Sequence, residues 1–179
     1  MNEFLFPDNT VLCNFAAVER LDLLKSVLGA KGRWTEAVAY EASRSASHLP
    51  DLACLAADGW LDDPIEISDA SDVRKIEQIR RAVFGGTDAM PLQHLGEAQT
   101  CHVILHWAEF AGSWWISDDR EALRYARFQG ITTRETIDLM SVAVVNGEIA
   151  DRDAFDLMNK MARCGRHLRL PSLAADLRR

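Results

Sequence analysis

Two hydrophobic periods alternate along the chain. Short apolar runs of strand length, bounded by turn residues, give way to stretches in which apolar residues recur every three or four positions, the spacing of one helical face. Phe4-Leu5-Phe6-Pro7 is the first apolar run, and it stops at Asp8-Asn9-Thr10. Val11, Leu12, Phe15, Ala16 and Val18 then take helical spacing. A second helix is predicted over Leu21 to Leu28, closed by Gly29. Lys31 to Thr35 reads as a short strand, with Thr35 placed to cap a helix running through Ala37, Val38, Tyr40 and Glu41. Pro50 breaks that helix, Leu52 to Ala57 forms another short one, and Trp60 to Ile67 is irregular with some strand character.

The second half repeats the pattern more clearly. Ser68 or Ser71 is placed to cap an amphipathic helix, because Val73, Ile76, Ile79, Val83 and Phe84 share one face while Arg74, Lys75, Arg80 and Arg81 fall elsewhere. Gly85-Gly86 ends it. Leu95 to Phe110 reads as helix, Trp114 to Ile116 as strand, and Asp118 to Phe128 as helix stopped by Gly130. Ile131-Thr132 is the last expected strand. Thr133 is then expected to cap the helix of Ile137, Leu139, Met140, Ala143 and Val144, which Gly147 closes, and a final helix covers Asp151 to Arg163. Strands alternating with helices require crossover connections, and crossovers bury a parallel sheet on both faces. The pattern therefore predicts one α/β domain with about five short strands, without internal repeats.

Composition narrows the class. Hydrophobic residues make up 48% and charged residues 26% of 179 residues, an ordinary globular balance that excludes a disordered chain. No apolar run approaches the roughly 18 residues that span a bilayer, and Met1 to Pro7 lacks the basic-then-apolar order of a signal peptide, so a cytoplasmic, membrane-free protein is expected. Cys13, Cys54, Cys101 and Cys164 form no C-x-x-C pair and are read as reduced core residues. A formal net charge of -7 argues against coating nucleic acid by bulk electrostatics. The charge is uneven, however: Lys160, Arg163, Arg166, Arg169, Arg178 and Arg179 face only Asp176 in the last stretch. That basic end is either a solvated tail or a surface for phosphates or a partner.

In open α/β sheets ligands bind beyond the carboxyl ends of strands. Asp8 follows the first apolar run and Asp118-Asp119 follows Trp114-Trp115-Ile116-Ser117. Each has an ordinary explanation as a helix cap. Glu41 and Glu97 lie on helices among apolar neighbours, and each alone is an ordinary surface residue. Together the four suggest a carboxylate cluster, which suits hard divalent cations such as Mg²⁺ or Mn²⁺. His48, His94, His102, His106 and His167 offer no zinc alternative: His102 and His106 have i, i+4 spacing, but Val103-Ile104-Leu105 lacks the catalytic Glu of an H-E-x-x-H site, and a structural role is expected for that pair.

With these pieces assembled, the sequence resembles the PIN-domain family, metal-dependent ribonucleases that include the VapC-like toxins of bacterial toxin-antitoxin operons. The resemblance runs from Phe4 to about Met161. It is carried by Phe6-Pro-Asp-Asn-Thr-Val-Leu12, Glu41, Leu95-Gly-Glu-Ala98, Ile116-Ser-Asp-Asp-Arg-Glu-Ala122, Gly130-Ile-Thr-Thr133, Thr136-Ile-Asp-Leu-Met140 and Asn146-Gly-Glu-Ile149. It implies a three-layer α/β/α sandwich with a parallel sheet of order 3-2-1-4-5, a PIN-like domain over residues 1–163 and a basic C-terminal tail over 164–179. It also implies a catalytic quartet of Asp8, Glu41, Glu97 and Asp119, with Asp8, Glu97, Asp118 and Asp119 as metal ligands. Thr10, Ser117 and Thr136 would support the ligands or position water, and Arg163, Arg166 and Arg169 would meet RNA. Two positions depart from the pattern: Gln99 stands where a second acid is frequent, and Arg134-Glu135 precedes Thr136 where a glycine is frequent.

The implied activity is hydrolysis of RNA phosphodiesters by a divalent-metal-dependent endoribonuclease with Mg²⁺ or Mn²⁺ as cofactor. RNA is the implied substrate, and a cognate antitoxin protein and a second copy of the chain are further implied partners. Two rivals stay open: a non-catalytic PIN-like interaction module, and a metal-dependent phosphohydrolase acting on a small substrate. Against the second, the chain has no P-loop, no G-x-G-x-x-G and no nucleophile elbow.

Overall fold

The computed structural model describes residues 3–178; Arg179 of the basic end lies outside them, as do the first two residues of the amino-terminal segment. The element order is β1 (Leu5–Pro7), α1 (Asn9–Ala16), α2 (Leu21–Leu28), α3 (Glu36–Ser45), α4 (Leu55–Asp58), α5 (Ala70–Ala82), α6 (Leu95–His106), β2 (Trp114–Ile116), α7 (Arg120–Phe128), β3 (Thr132–Arg134), α8 (Thr136–Val145) and α9 (Asp151–Arg163), with short 3₁₀ turns between and after them.

The sheet has three parallel strands in the order β1-β2-β3, not about five. Phe6 lies opposite Trp115, and Trp115 opposite Thr133. The two further strands expected around Lys31–Thr35 and Trp60–Ile67 are reduced to single parallel bridges, Leu5 with Gly32 and Thr35 with Ile65. The reason is local. A 3₁₀ turn at Gly29–Lys31 and the α3 cap at Thr35 leave only three residues between them, and Pro64 has no N–H to extend the second bridge. These bridges nevertheless sit outside β1, so the chain segments lie across the sheet in the lateral order expected for strands 3-2-1-4-5.

Side chains alternate across the strands and divide the core in two. Phe6 and Trp115 join Ile76, Cys101, Ile104, Ala122 and Ile131 on one face. Leu5 and Ile116 turn to the other, against Val11, Leu12, Leu24, Trp34, Val38, Met140 and Met158. Helices thus cover both faces of a parallel sheet, an α/β/α arrangement.

Acidic residues stand at four of the nine helix starts among the described residues, because a carboxylate accepts from free N–H groups at the positive end of a helix. Asp8 caps α1, and Asp119 caps α7 by accepting from Glu121 and Ala122 N–H at 2.8 and 2.9 Å. Asp69, rather than Ser68 or Ser71, caps α5 by accepting from Ser71 and Asp72 N–H. Thr133 is not the cap of α8. It lies inside β3, paired with Trp115, and Glu135 takes the cap position, its N–H donating to Asp138 at 2.8 Å. Thr35 caps α3 as expected. The helix expected over Leu95 to Phe110 stops at His106 and continues as a 3₁₀ turn at Ala108–Phe110. Of the cysteines read as core residues, Cys13 and Cys101 are buried, but Cys54 and Cys164 are exposed.

Between α5 and α6 the chain loops over one buried arginine. Arg80 is 1% exposed and paired with Glu77, and it donates to the carbonyls of Thr87, Met90 and Gln93. Gly86 makes this possible, since a Cβ there would overlap the guanidinium.

The carboxyl-terminal segment folds back on α8 and α9. Pro171 is buried and Leu177 is 0% exposed in the larger core, while Arg178 pairs with Asp151 at 2.7 Å. Leu177→Ala is expected to lower the unfolding free energy by about 2–4 kcal/mol in urea titration, the usual cost of emptying a buried leucine site. A loss below about 0.5 kcal/mol would mean that this segment does not hold to the core.

Candidate functional site

The acids meet where the strands end. Asp8 N–H donates to the Ile116 carbonyl at 2.8 Å and Ser117 N–H to the Arg134 carbonyl at 3.0 Å, so the residues just beyond β1, β2 and β3 lie side by side. Asp8 is 4% exposed. Its Oδ2 accepts from Thr10 Oγ1 at 2.8 Å, from Thr10 N–H at 3.4 Å and from Ser117 Oγ at 3.2 Å. The Ser117 hydroxyl in turn accepts from Asp119 N–H at 3.1 Å. One oxygen of Asp8 is thereby fixed to both strand ends.

Glu41 and Glu97 arrive from α3 and α6, which cross closely because Gly96 has no side chain. A Cβ at Gly96 would come within 3.0 Å of Glu41 Oε1 and 3.2 Å of Val38 Cγ2. Gln99 locks the same crossing: its Oε1 accepts from Ala37 N–H at 3.1 Å and its Nε2 donates to Glu36 at 3.1 Å. A neutral side chain suits that place, because an acid would face Glu36. His94, at the start of α6 with φ +62°, puts Nδ1 3.2 Å from Glu97 Oε1.

The cost of crowding shows in the proton affinities. Burial first, and then the charge of Glu97, raise the Asp8 carboxyl from its ordinary 3.8 to about 6 against the lowering effect of the Thr10 hydrogen bonds. Burial, Asp8 and Glu97 push Glu41 from 4.5 up to about 8, while Arg44 pulls the other way.

Two clefts open on these acids. One, of about 650 Å³, is lined by Glu97, Asp119 and His94 together with Phe84, Tyr125 and Phe128. The other, of about 470 Å³, is lined by Glu41, Glu97 and His94 together with Tyr40, Arg44 and Leu92. Glu97 and His94 are common to both.

Asp118 faces away from the clefts toward α8. Its Oδ1 accepts from Thr136 N–H at 3.1 Å, and its Oδ2 accepts from Asn14 Nδ2 at 2.7 Å and from the Thr136 hydroxyl. Burial raises its carboxyl, and the Thr136 hydrogen bonds oppose that. Asn14 is fully buried and also accepts from Arg166 Nε at 3.0 Å, which ties the carboxyl-terminal segment to the strand ends.

A family model described as a PIN domain matches residues 6–178. The chain belongs to the PIN-domain family. Comparison with curated proteins and with solved structures gave no match. The PIN domain is a nuclease-type fold, and the match runs through the basic segment as far as Arg178.

Within this PIN domain, Asp8, Glu41 and Glu97 lie close enough to disturb one another's charge, and Asp119 shares a cleft with Glu97. Thr10 and Ser117 serve Asp8, and Thr136 serves Asp118. Of the basic residues, Arg163 stands exposed at the end of α9, Arg166 is engaged by Asn14, and Arg169 faces Glu135 and Asp138 at 3.4 and 3.6 Å. His102 and His106 lie tilted against each other on α6, ring centroids 4.7 Å apart, and buried His102 lies 3.0 Å from Asp72 of α5, at a poor angle for a hydrogen bond. Sequence reasoning missed Asn14, Gly96 and His94 as site residues. His94 does carry a signal, a histidine three residues before an acid that opens a helix, whereas Asn14 and Gly96 act only through partners distant in sequence.

Hard oxygen donors with raised proton affinity fit a divalent cation, whose charge would relieve their repulsion. Among the described residues no three His, Cys, Asp or Glu side chains close around one point at ligand spacing. The donor set therefore fits an ion held by one or two carboxylates and completed by water and phosphate oxygen, as is usual for Mg²⁺.

A carboxyl that is harder to ionise in the folded protein binds more protons there than when unfolded, so its ionisation weakens the fold as pH rises. The sign gives a loss of stability through the range from about 4 to 6 for Asp8 and from about 4.5 to 8 for Glu41. Without divalent cations, the melting temperature is expected to fall between pH 5 and pH 8, and Glu41→Gln to remove most of the fall above pH 6. A melting temperature that rises over this interval in the parent would contradict the placement of these acids.

Proposed function

We propose that this PIN domain is a divalent-cation-dependent endoribonuclease whose reacting phosphate sits between Asp8, Glu97, Glu41 and Asp119. The observation that carries the reading is that buried Asp8 and half-buried Glu41 are crowded against Glu97, the acid at which two open clefts meet. A fold does not retain that repulsion for stability, and perturbed acids in a cleft mark functional sites.

Asp8 and Glu97 are the proposed cation ligands, and Asp119, which lines the larger cleft with Glu97, would meet the ion through a coordinated water. Bound there, Mg²⁺ or Mn²⁺ would neutralise charge on the phosphate oxygens and make a coordinated water easier to ionise. Thr10 and Ser117 hold Asp8 Oδ2 in place, so the carboxylate needs no reorganisation when the substrate arrives. Glu41, whose carboxyl is held protonated more strongly than any ordinary glutamate, is suited to take and return a proton near the scissile bond. Asp118 is better read as an anchor than as a ligand, since Asn14 and Thr136 already occupy its oxygens. The two clefts favour a polymer over the small-substrate rival: acids at a junction can meet a phosphate in mid-chain, whereas a small phosphate ester needs only one pocket.

The test is cleavage of a fluorophore-quencher RNA with Mn²⁺, with EDTA, and with variants. Asp8→Asn and Glu97→Gln are each expected to lower kcat/KM by at least about a hundredfold, or about 2.7 kcal/mol, with a cooperative melting transition retained. Cleavage that persists unchanged in EDTA would overturn the reading. Of Arg163, Arg166 and Arg169, the first is exposed and the other two are engaged by Asn14, Glu135 and Asp138, so Ala at all three together is expected to flatten the dependence of log kcat/KM on log salt by about 0.7, the effect of one contact rather than three.

A further inference from the structure

The two clefts that meet at His94 and Glu97 carry more than the acids. The smaller has Tyr40 on its wall, 49% exposed, with Met90 and Leu92 beside it at 53% and 44%, and Arg44 at its rim. The larger has Phe128, 85% exposed at the end of α7, with the edge-to-face pair Phe84 and Tyr125 beneath it and Arg124 at its rim. Each cleft therefore offers an exposed aromatic face among apolar side chains and an arginine, Arg124 being paired with Glu121 of the same cleft at 2.7 Å, and Glu97 and His94 belong to both.

We propose that these clefts are base-binding subsites for the nucleotides on either side of the scissile phosphate, one unpaired base stacking on Tyr40 and the other on Phe128, with Arg44 beside an adjoining phosphate. The proposal rests on the nuclease reading above and adds to it the side chains that would seat the bases of a single-stranded substrate. Bases within a duplex already stack on one another and cannot offer a free face, whereas splayed bases of single strands stack on aromatic side chains with little regard to sequence. The volumes, about 470 and about 650 Å³, lie in the range of small-ligand pockets, roughly 300–1,000 Å³. The mixed lining also favours this occupant. The apolar side chains of the smaller cleft are interleaved with Arg44, Gln93 and His94, and those of the larger with Asp119, Glu121 and Arg124, a pattern that suits an amphipathic ring better than the continuous apolar face of a protein partner.

The arrangement is anchored rather than hinged. Met90 and Gln93 give their carbonyls to the buried Arg80, which holds the wall of the Tyr40 cleft against α5. Tyr40 itself precedes Glu41 on α3, so the base platform and the proton-carrying acid are set by one helix.

The experiment uses the full chain and an eight-nucleotide single-stranded RNA of mixed sequence carrying a 3′ fluorophore. Steady-state cleavage with Mn²⁺ and anisotropy binding with Ca²⁺ are measured for the parent, Tyr40→Ala, Phe128→Ala, Tyr40→Phe and Phe128→Trp. Each alanine variant is expected to raise KM and Kd about tenfold while kcat stays within about twofold, and the aromatic replacements are expected to restore both. The same octamer annealed to its complement is expected to compete poorly. If the parent cleaves and binds the octamer but the alanine variants match it, the base subsites are wrong and the nuclease reading stands. A defect that the aromatic replacements do not rescue, or a change of oligomeric state with Phe128→Ala, also overturns the proposal, the latter in favour of a protein interface. A parent that neither binds nor cleaves the octamer overturns both.

Discussion

Asp8 is held at the one point where the first two strands end together. Its backbone N–H completes the ladder to Ile116, its side chain caps α1, and its Oδ2 collects the hydroxyls of Thr10 and Ser117. The remaining site is arranged around that fixed, buried carboxylate. Ser117 passes the constraint to Asp119 and hence to α7. Asp118, one residue earlier, passes it through Thr136 to α8 and through Asn14 to Arg166. A short sheet is sufficient for this purpose, because what matters is that adjacent parallel strands deliver their carboxyl ends to one edge.

The second constraint is the crossing of α3 and α6. Gly96 allows Glu41 to approach, and Gln99 fastens the crossing without adding another charge. Burial then makes the acids expensive to ionise together, as the rise of Asp8 to about 6 and of Glu41 to about 8 records. Locally the fold opposes itself: strand-end geometry, helix caps and close helix packing hold in place a group of charges that electrostatics would disperse. A proton resolves the conflict, as a bound cation would, and protonation couples the site to solution conditions.

Much of this was legible in the sequence. The helices from Leu21 to Leu28 and from Asp151 to Arg163 follow directly from periodicity, because their apolar faces are local. Asp8 and Asp119 could be found by asking which polar residues follow an apolar run. What stayed hidden depended on long-range partners. The strand at Lys31–Thr35 has strand-like composition but only one isolated bridge to each neighbour, since its ladder is curtailed by the turn before it and the cap after it. Ser68 and Ser71 looked like caps because serine commonly is one, yet Asp69 between them carries a full charge and wins the helix end. Asn14 reads as one more polar residue on α1, and only the fold shows that it joins Asp118 to a segment 152 residues away. Burial of Pro171 and Leu177 was likewise invisible beneath the more conspicuous arginines.

The central claim is that the acids form a cation site loaded with protons when the cation is absent. Calorimetric titration of Mn²⁺ into the parent at pH 7, repeated in buffers of different ionisation enthalpy, tests it most directly. Binding is expected to release close to one proton, chiefly from Glu41, so the apparent enthalpy should vary with the buffer, and Glu41→Gln should bind with little such variation. A parent that binds no Mn²⁺, or an Asp8→Asn variant that binds it as tightly as the parent, would contradict the account.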